Sequence, residues 1–222
     1  MQPSGDNATH TELSRQVVHM LVGLLALLLR WLSWPAALGL ALALIFFNLF
    51  LLPRLPGSRR FLYRPDEPER GLSSGIFLYP VSVFVLILAF PVPVAAAMWG
   101  VLSFGDGMAG AAGSCGATRR LPWNRHKSFE GLLAFVLAAW PASAFLYWWT
   151  LPNVSSSALW WRLTDAPRVF ASPGVGAIAI ISLVTAVVCG VLETLDIGID
   201  DNLLAPLGGA CVMSALVITC CG

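Results

Sequence analysis

Residues 35–52 read PAALGLALALIFFNLFLL, a run without a single charged side chain. A helix that crosses a membrane needs about 20 mostly apolar residues, with a range of about 17–25. This run is long enough to meet that requirement, and it predicts a transmembrane helix.

Comparable apolar runs recur along the chain. The candidate spans lie at 15–32, 35–52, 74–91, 93–113, 129–150, 173–193 and 203–221. Proline-rich segments separate several of them, as is typical of connections between helices. The sequence therefore predicts an all-α, polytopic membrane bundle of about seven transmembrane helices, and the break at Pro91 and Pro93 leaves six or eight open. We expect a polar N-terminal tail over 1–14 and a single transmembrane domain over 15–222.

The composition supports a membrane protein and argues against several other classes. Of the 222 residues, 57% are hydrophobic and 11% are charged, and the mean hydropathy is +0.76. A soluble domain has about 25% charged residues. The net charge of +1 gives no basic field for nucleic acid. The five cysteines show no CxxC or Cys/His spacing, so neither a zinc site nor a disulfide framework is expected.

Charged residues are predicted to gather on one face of the membrane. Two connections, after the second and the fourth predicted spans, contain Arg54, Arg59, Arg60, Arg64, Arg70, Arg119, Arg120, Arg125 and Lys127. Short loops rich in Lys and Arg remain in the cytoplasm, so we expect these loops and the N-terminus to be cytoplasmic. All the acidic residues except Asp165 fall on the same face. Because ionisable groups at or within spans are costly, this gathering indicates a functional site.

The first cluster on that face is Glu12, Arg15 and His19. Offsets of three and four residues place them on one side of a helix. An interfacial helix end with a capping acid and an Arg anchor is the alternative interpretation. His19 fits that alternative least well, because it lies one turn inside an apolar run.

The second cluster combines GDGMAG at 105–110 with KSFEG at 127–131. The glycines allow a ligand or another backbone to approach closely. The Asp106 carboxylate suits a divalent cation, and Lys127 with neighbouring arginines suits phosphate. Small-residue helix packing followed by a cytoplasmic basic loop is the alternative, but it gives no role to Asp106 or Glu130.

A dinucleotide-binding loop is excluded for the same stretch. GDGMAG at 105–110 satisfies G-x-G-x-x-G, but that motif requires a preceding strand and a βαβ unit. Here the preceding residues form a predicted membrane span.

The third cluster is ETLDIGIDDN at 193–202, between the last two predicted spans. A helix end, a glycine break and an Asp or Asn cap would explain it without a site. Capping needs only one of these side chains, however, and four acids so close together repel each other. We therefore favour a metal site.

Together the clusters contain what phosphoryl transfer requires. Divalent ions and basic groups stabilise phosphate charge, and a carboxylate or His can orient or deprotonate an attacking hydroxyl. Oxygen ligands without a Cys/His cluster suit magnesium. An apolar bundle beneath the site could admit a lipid alcohol from the bilayer.

At these residues the chain resembles the dolichol kinase/phytol kinase family of membrane-embedded, CTP-dependent lipid-alcohol kinases. The matching pieces, in the order of the family, are Glu12-x-x-Arg15-x-x-x-His19, Gly105–Gly110, Leu121-Pro122-Trp123-Asn124, Lys127–Gly131, Glu193, Asp200-Asp201-Asn202 and Pro206. One departure is Gln16, where the family often has Lys.

The resemblance implies specific roles for these residues. The catalytic residues would be Asp106, Glu193, Asp200 and Asp201. Mg²⁺ or another divalent cation would be bound by Asp106, Glu130, Asp200 and Asp201. The nucleotide, CTP by resemblance, would bind at Arg15, His19, Gly105, Gly107, Gly110, Arg119, Lys127, Ser128, Glu130 and Asn202. The acceptor would be an isoprenoid alcohol such as phytol, farnesol, geranylgeraniol or a polyprenol, and we expect the general base among the acids of 193–202.

Two other functions remain open. A cytidylyltransferase that forms a CDP-activated lipid from phosphatidate has a similar centre, but it characteristically ends in a Lys-Asp…His-Gly-Gly…Asp-Arg segment that this chain lacks. An ion-coupled transporter typically shows internal repeats and a site near the midplane, and the sequence shows no repeat.

Overall fold

The structure is a computed structural model that describes residues 5–55, 74–114, 118–157 and 166–221. Within these ranges the regular elements are helical, and the β structure is limited to an isolated antiparallel bridge between Arg120 and Ser128. The all-α prediction is confirmed. The basic cluster predicted at 59–70 lies outside the described residues.

The helices of the first half form three long segments and one shorter helix. They are α1 (Gly5–Gly23), continued by a 3₁₀ segment (Leu24–Arg30); α2 (Trp34–Phe46), continued by a π turn (Phe47–Leu51) and a 3₁₀ turn (Leu52–Arg54); α3 (Ser74–Ala89); and α4 (Val92–Gly100), joined by a π turn (Val101–Gly105) to α5 (Asp106–Ser114).

The second half begins after the loop at 118–128. It contains α6 (Phe129–Thr150) with a 3₁₀ extension (Leu151–Ser156), the short α7 (Ala166–Ala171), α8 (Val175–Glu193) and α9 (Asp201–Cys221).

Six of the described helical segments are long and apolar enough to cross a membrane. They are Leu13–Arg30, Trp34–Arg54, Val92–Ser114, Phe129–Ser156, Val175–Glu193 and Asp201–Cys221. The remaining predicted span, 74–91, corresponds to the shorter apolar helix Gly75–Ala89, because α3 ends just before Pro91, whose ring disfavours helix at the residue before it. These helices confirm an integral membrane protein.

The polar segment 1–14 is helical from Gly5 onward, so α1 begins well before the first apolar run. The cytoplasmic location of that segment stays a prediction. The structure describes the backbone of Glu12 and not its side chain.

The centre of the bundle is α4. Every residue from Val92 to Gly100 is buried, and the helix packs against α3, α6 and α9. Fewer than half of the residues in each of the other five spans are buried, whereas most of Val92–Ser114 is. The central segment is therefore enclosed by protein, and the outer helices keep apolar side chains exposed where lipid would lie.

Candidate active site

Members of all three sequence clusters line one cavity of about 570 Å³ at one end of the bundle. Its walls come from α1, the start of α3, α5, the 118–128 loop, the start of α6, the end of α8 and the start of α9. The predicted site residues among its lining are Arg15, Asp106, Gly110, Lys127, Ser128, Glu193, Asp200, Asp201 and Asn202. The clusters meet although almost two hundred residues separate the first from the last.

Lys127 links the second cluster to the third. Its Nζ lies 2.5 Å from Oε1 of Glu193 and 3.0 Å from Oδ2 of Asp201. Glu193 is buried, with 7% of its surface exposed, so a nearby cation is required to stabilise its negative charge. Burial by itself lowers the pKa of Lys127, but the charges of Glu193 and Asp201 outweigh burial and hold that pKa above its ordinary value.

Two side chains fasten the loop that carries Lys127 to the end of α8. Trp123 Nε1 donates to Thr194 Oγ1 at 3.0 Å, and Asn124 Nδ2 donates to the Thr194 carbonyl oxygen at 3.0 Å. The backbone N–H of Leu121 donates to the Lys127 carbonyl at 3.0 Å, which closes the loop. The LPWN stretch therefore holds Lys127 above Glu193.

Glu130 stands outside the cavity. Its Oε1 accepts from the Thr118 hydroxyl at 3.0 Å and from the backbone N–H of Arg119 at 3.1 Å. The carboxylate thus ties residues 118–119 to the first turn of α6, where Ser128 caps the helix by accepting from Gly131 N at 3.1 Å. Neither Glu130 nor the exposed Arg119 lines the cavity, and the metal and nucleotide roles expected of them stay predictions.

The acidic segment 193–202 combines capping with lining of the cavity. Asp200 caps α9, since its Oδ1 accepts from Asn202 N at 3.0 Å and from Asn202 Nδ2 at 2.9 Å. The chain turns at Gly198, whose φ of 77° favours glycine. Asp200, Asp201 and Asn202 also line the cavity, whereas Asp196 does not. Within the described chain, no three acidic, His or Cys side chains converge tightly enough to hold a metal alone.

The glycines of 105–110 allow close packing against neighbouring side chains. A Cβ at Gly105 would meet the Phe135 ring at 3.0 Å, and one at Gly107 would meet Met20 Cγ at 2.7 Å. A Cβ at Gly110 would overlap the side chain of Gln16. Of the three, Gly110 lines the cavity. Gln16, treated above as a departure from the family pattern, is therefore the buried partner of that glycine.

Asp106 begins α5 directly after the π turn Val101–Gly105. π turns inside helices occur frequently at functional sites. Oδ2 of Asp106 lies 3.5 Å from His19 Nε2, which is also 3.0 Å from the Leu102 carbonyl oxygen. The structure thereby brings together His19 of the first cluster and Asp106 of the second.

A second, smaller pocket of about 160 Å³ adjoins the first. Both pockets are lined by Asp106, Arg15, Gln16, Gly75 and Asn202, and the smaller one is otherwise mostly apolar. His19 lines this smaller pocket and not the larger cavity, and its contact with the nucleotide stays a prediction.

A chain of buried hydrogen bonds fixes one wall of the smaller pocket. Trp99 Nε1 donates to the Tyr79 hydroxyl at 2.8 Å, that hydroxyl lies 2.8 Å from Ser103 Oγ, and Ser103 Oγ donates to the Trp99 carbonyl at 2.7 Å. The Tyr79 ring packs edge-on against His19, with 4.3 Å between centroids.

Several lining residues were missed by the sequence analysis. Tyr79 and Asn48 line the smaller pocket, and His126 lines the larger one beside Arg120, one of the arginines expected to face phosphate. Asn48 offered a usable signal, because a polar side chain in an otherwise apolar span is costly and indicates a partner or a function.

Two curated proteins resemble the chain over most of its length. One, named probable phytol kinase, chloroplastic, from Zea mays, is 27% identical over 213 residues, covering 88% of this chain and 63% of that protein. The other, named probable phytol kinase 2, chloroplastic, from Glycine max, is 28% identical over 202 residues, covering 88% of this chain and 62% of that protein. The chain is similar to both of these probable phytol kinases. The resemblance to the dolichol kinase/phytol kinase family, first drawn from the motifs, is therefore confirmed.

The chain spans about three-fifths of the length of these relatives. No protein-family profile matches the sequence. No solved structure matches it either.

Proposed function

We propose that the protein transfers the γ-phosphate of a nucleotide, CTP by family resemblance, to the hydroxyl of an isoprenoid alcohol. One observation carries this proposal: a charged cavity and a mostly apolar pocket meet at Asp106. A kinase for lipid alcohols needs that combination, because its two substrates differ completely in polarity. The names of the two relatives support the same reaction class.

The nucleotide is assigned to the larger cavity. Arg15, Arg120 and Lys127 are basic side chains in its lining, and charge-assisted hydrogen bonds from such groups are the strong contacts to phosphate. Lys127 already contacts two carboxylates, so an incoming phosphate would share it with Glu193 and Asp201.

Magnesium fits the side chains on the cavity wall. It is usually held by one or two carboxylates together with substrate phosphates and water, and Asp200 and Asp201 offer two carboxylates on the wall, which leaves Asp106 free to accept a proton. The requirement for phosphate oxygens agrees with the lack of a three-residue metal cluster in the described part of the chain. When bound, the ion would neutralise phosphate charge.

The reaction balances without a further reactant. The alcohol oxygen forms a bond to the γ-phosphorus, and the bond between that phosphorus and the β–γ bridging oxygen breaks. The nucleoside diphosphate leaves with the bridging electron pair, and the alcohol proton passes to the Asp106 carboxylate. We prefer Asp106 as proton acceptor to the acids of 193–202, because it lines both pockets and a base must reach the reacting hydroxyl.

We place the active site on the cytoplasmic face. The 118–128 loop carries Arg119, Arg120, Arg125 and Lys127 next to the cavity, and short basic loops stay in the cytoplasm. A protease-accessibility or glycosylation-tag map of this loop in intact membranes tests the orientation.

The test of the activity is a radiolabel-transfer assay on purified protein with magnesium. γ-Labelled CTP and ATP are offered in parallel against phytol, geranylgeraniol, farnesol, a long polyprenol and diacylglycerol. Label in an isoprenoid alcohol establishes the kinase, and the better donor identifies the nucleotide. If folded protein labels none of them, the kinase is rejected. Formation of a CDP-lipid from phosphatidate, and then ion transport, would be measured next.

A further inference from the structure

We propose that the smaller pocket binds the hydroxyl end and about one isoprene unit of the lipid alcohol, and that the rest of the tail leaves between α1 and α2 into the bilayer. This inference rests on the proposed kinase activity and names the acceptor site within it. Specificity would then depend on the structure near the hydroxyl, not on the length of the tail.

The lining of the pocket separates polar from apolar contacts. Its polar end is the part shared with the larger cavity, where Asp106, Arg15 and Asn202 lie. The remaining wall is largely apolar and includes Val22, Leu44 and Ile76. An alcohol with its hydroxyl at Asp106 and its first carbons against these side chains matches both environments.

The polar groups in the deeper wall are already engaged. Asn48 Nδ2 donates to the Ile76 carbonyl at 2.7 Å, and the Tyr79 hydroxyl is bonded to Trp99 and Ser103. Since these donors have partners, the wall presents mainly hydrocarbon to a ligand, and burial of apolar carbons there is favourable.

The pocket opens on a lipid-facing side of the bundle. Val18 on α1 and Phe47 after α2 both line it, and they are 41% and 39% exposed. Both belong to helical segments long and apolar enough to cross a membrane. A tail can therefore pass between them into the bilayer without crossing water.

The volume of the pocket limits how much of the alcohol it encloses. An apolar cavity of about 150 Å³ holds one benzene molecule, which has six carbons, and this pocket measures about 160 Å³. That is room for the hydroxyl end and about one five-carbon unit, and a twenty-carbon chain must continue outside.

The first experiment compares Leu44→Trp with Leu42→Trp. Leu44 lines the pocket, whereas Leu42 lies on the same helix, is 51% exposed and is not part of the lining. In transfer assays, we expect Leu44→Trp to lower kcat/KM for the alcohol by at least about 10–200-fold, since one methylene too many in an apolar site already costs that much and an indole adds more. The KM for the nucleotide should stay unchanged, and Leu42→Trp should behave as wild type.

The second experiment varies the alcohol against the wild-type protein. Farnesol, geranylgeraniol and a long polyprenol should give similar kcat/KM values, whereas a bulky substituent within the first isoprene unit should abolish transfer. A steady rise or fall of kcat/KM with tail length, or tolerance of the bulky substituent, overturns the proposal.

Photolabelling with an alcohol analogue tests the acceptor site independently of phosphate transfer. A geranylgeraniol analogue with a diazirine on its first isoprene unit is photolysed with the full chain, and labelled peptides are mapped by mass spectrometry. We expect label within 18–22, 44–52 or 76–80 and its loss in Leu44→Trp protein of unchanged thermal stability. Label confined to α8 or to residues 203–221, none of which lines this pocket, would refute the site even if the kinase activity is present. If wild type labels as expected but transfers no phosphate, the activity fails and the binding site stands.

Discussion

Replacing Lys127 with Met removes the ammonium group that lies between Glu193 and Asp201. Methionine keeps a long unbranched side chain, so the change tests the charge more than the volume. Glu193 would be left buried and without the cation 2.5 Å away. An uncompensated buried carboxylate is strongly destabilising.

The expected loss of stability follows from the partial burial of the ion pair between Lys127 and Glu193. Breaking a fully buried pair costs about 3–5 kcal/mol and an exposed pair about 0–1 kcal/mol. The Lys127 side chain is 35% exposed and that of Glu193 is 8% exposed, so we expect a loss of about 2 kcal/mol, between these limits. For a chain of 150–250 residues this corresponds to a fall in Tm of about 4–8 °C.

The assay is a double-mutant cycle of thermal stability in detergent, combined with transfer kinetics. Lys127→Met/Glu193→Gln removes both charges and should recover much of the lost stability, because no buried charge then lacks a partner. Activity should not recover, since the phosphate contact is gone; a lost charged hydrogen bond of about 1.5–3 kcal/mol raises the nucleotide KM by about 10–150-fold. Arg168→Met, which removes a positive charge from the exposed surface of α7, is the matched control.

The pH dependence of this effect has a definite sign. A lysine whose folded-state pKa is raised stabilises the protein below its unfolded pKa, and the stabilisation is lost as pH rises through the folded value. The unfolded value is about 10.4, and neighbouring carboxylates hold the pKa of Lys127 above its usual range. The ammonium therefore stays charged between about pH 7 and 9, and deprotonation of Lys127 should cause no change in stability there. Zero coupling in the cycle, or unchanged stability and nucleotide KM in Lys127→Met, would refute the assigned ion pair.

Three further variants test the other parts of the site. Asp106→Asn should abolish phosphate transfer by at least about 100-fold in protein of wild-type Tm, whereas Asp196→Asn, an acid outside the cavity lining, should retain activity; equal losses would contradict the role of Asp106. Glu130→Gln should lower Tm slightly through weaker bonds to residues 118–119 and leave the magnesium dependence unchanged, so a shifted magnesium requirement would support the metal role predicted from the sequence. Gly110→Ala should lower Tm because its Cβ overlaps Gln16, and Gln16→Ala in the same protein should recover the loss; failure of that rescue would show that the glycine is needed for another reason.

The general plan of the molecule could be predicted from the sequence because hydrophobicity and charge indicate how deep each residue lies in the membrane. Apolar runs located the spans, and the basic and acidic clusters identified one end of the bundle. Depth in the membrane was sufficient to predict that Arg15, Asp106, Lys127 and Asp201 lie near one another, and they line a single cavity.

The sequence did not show in the same way toward which side of its helix each side chain points. Glu130 has the right depth but bonds to residues 118–119, and Gly105 has the right motif but packs on Phe135. The π turn at Val101–Gly105 adds a residue to its turn, which changes the direction of everything after it. The smaller pocket was missed for a related reason, since its walls come from α1, α2 and α3 and no motif links them.

The enclosure of α4 has a consequence for how the chain enters the membrane. Val92–Ser114 is the least apolar of the six candidate spans and also the most buried. Such a segment gains comparatively little from contact with lipid, and its favourable contacts come from other helices, among them α6 and α9. Those helices are synthesised later, so the central segment reaches its final surroundings only after the C-terminal half has emerged. Biogenesis of this protein therefore cannot be completed one span at a time.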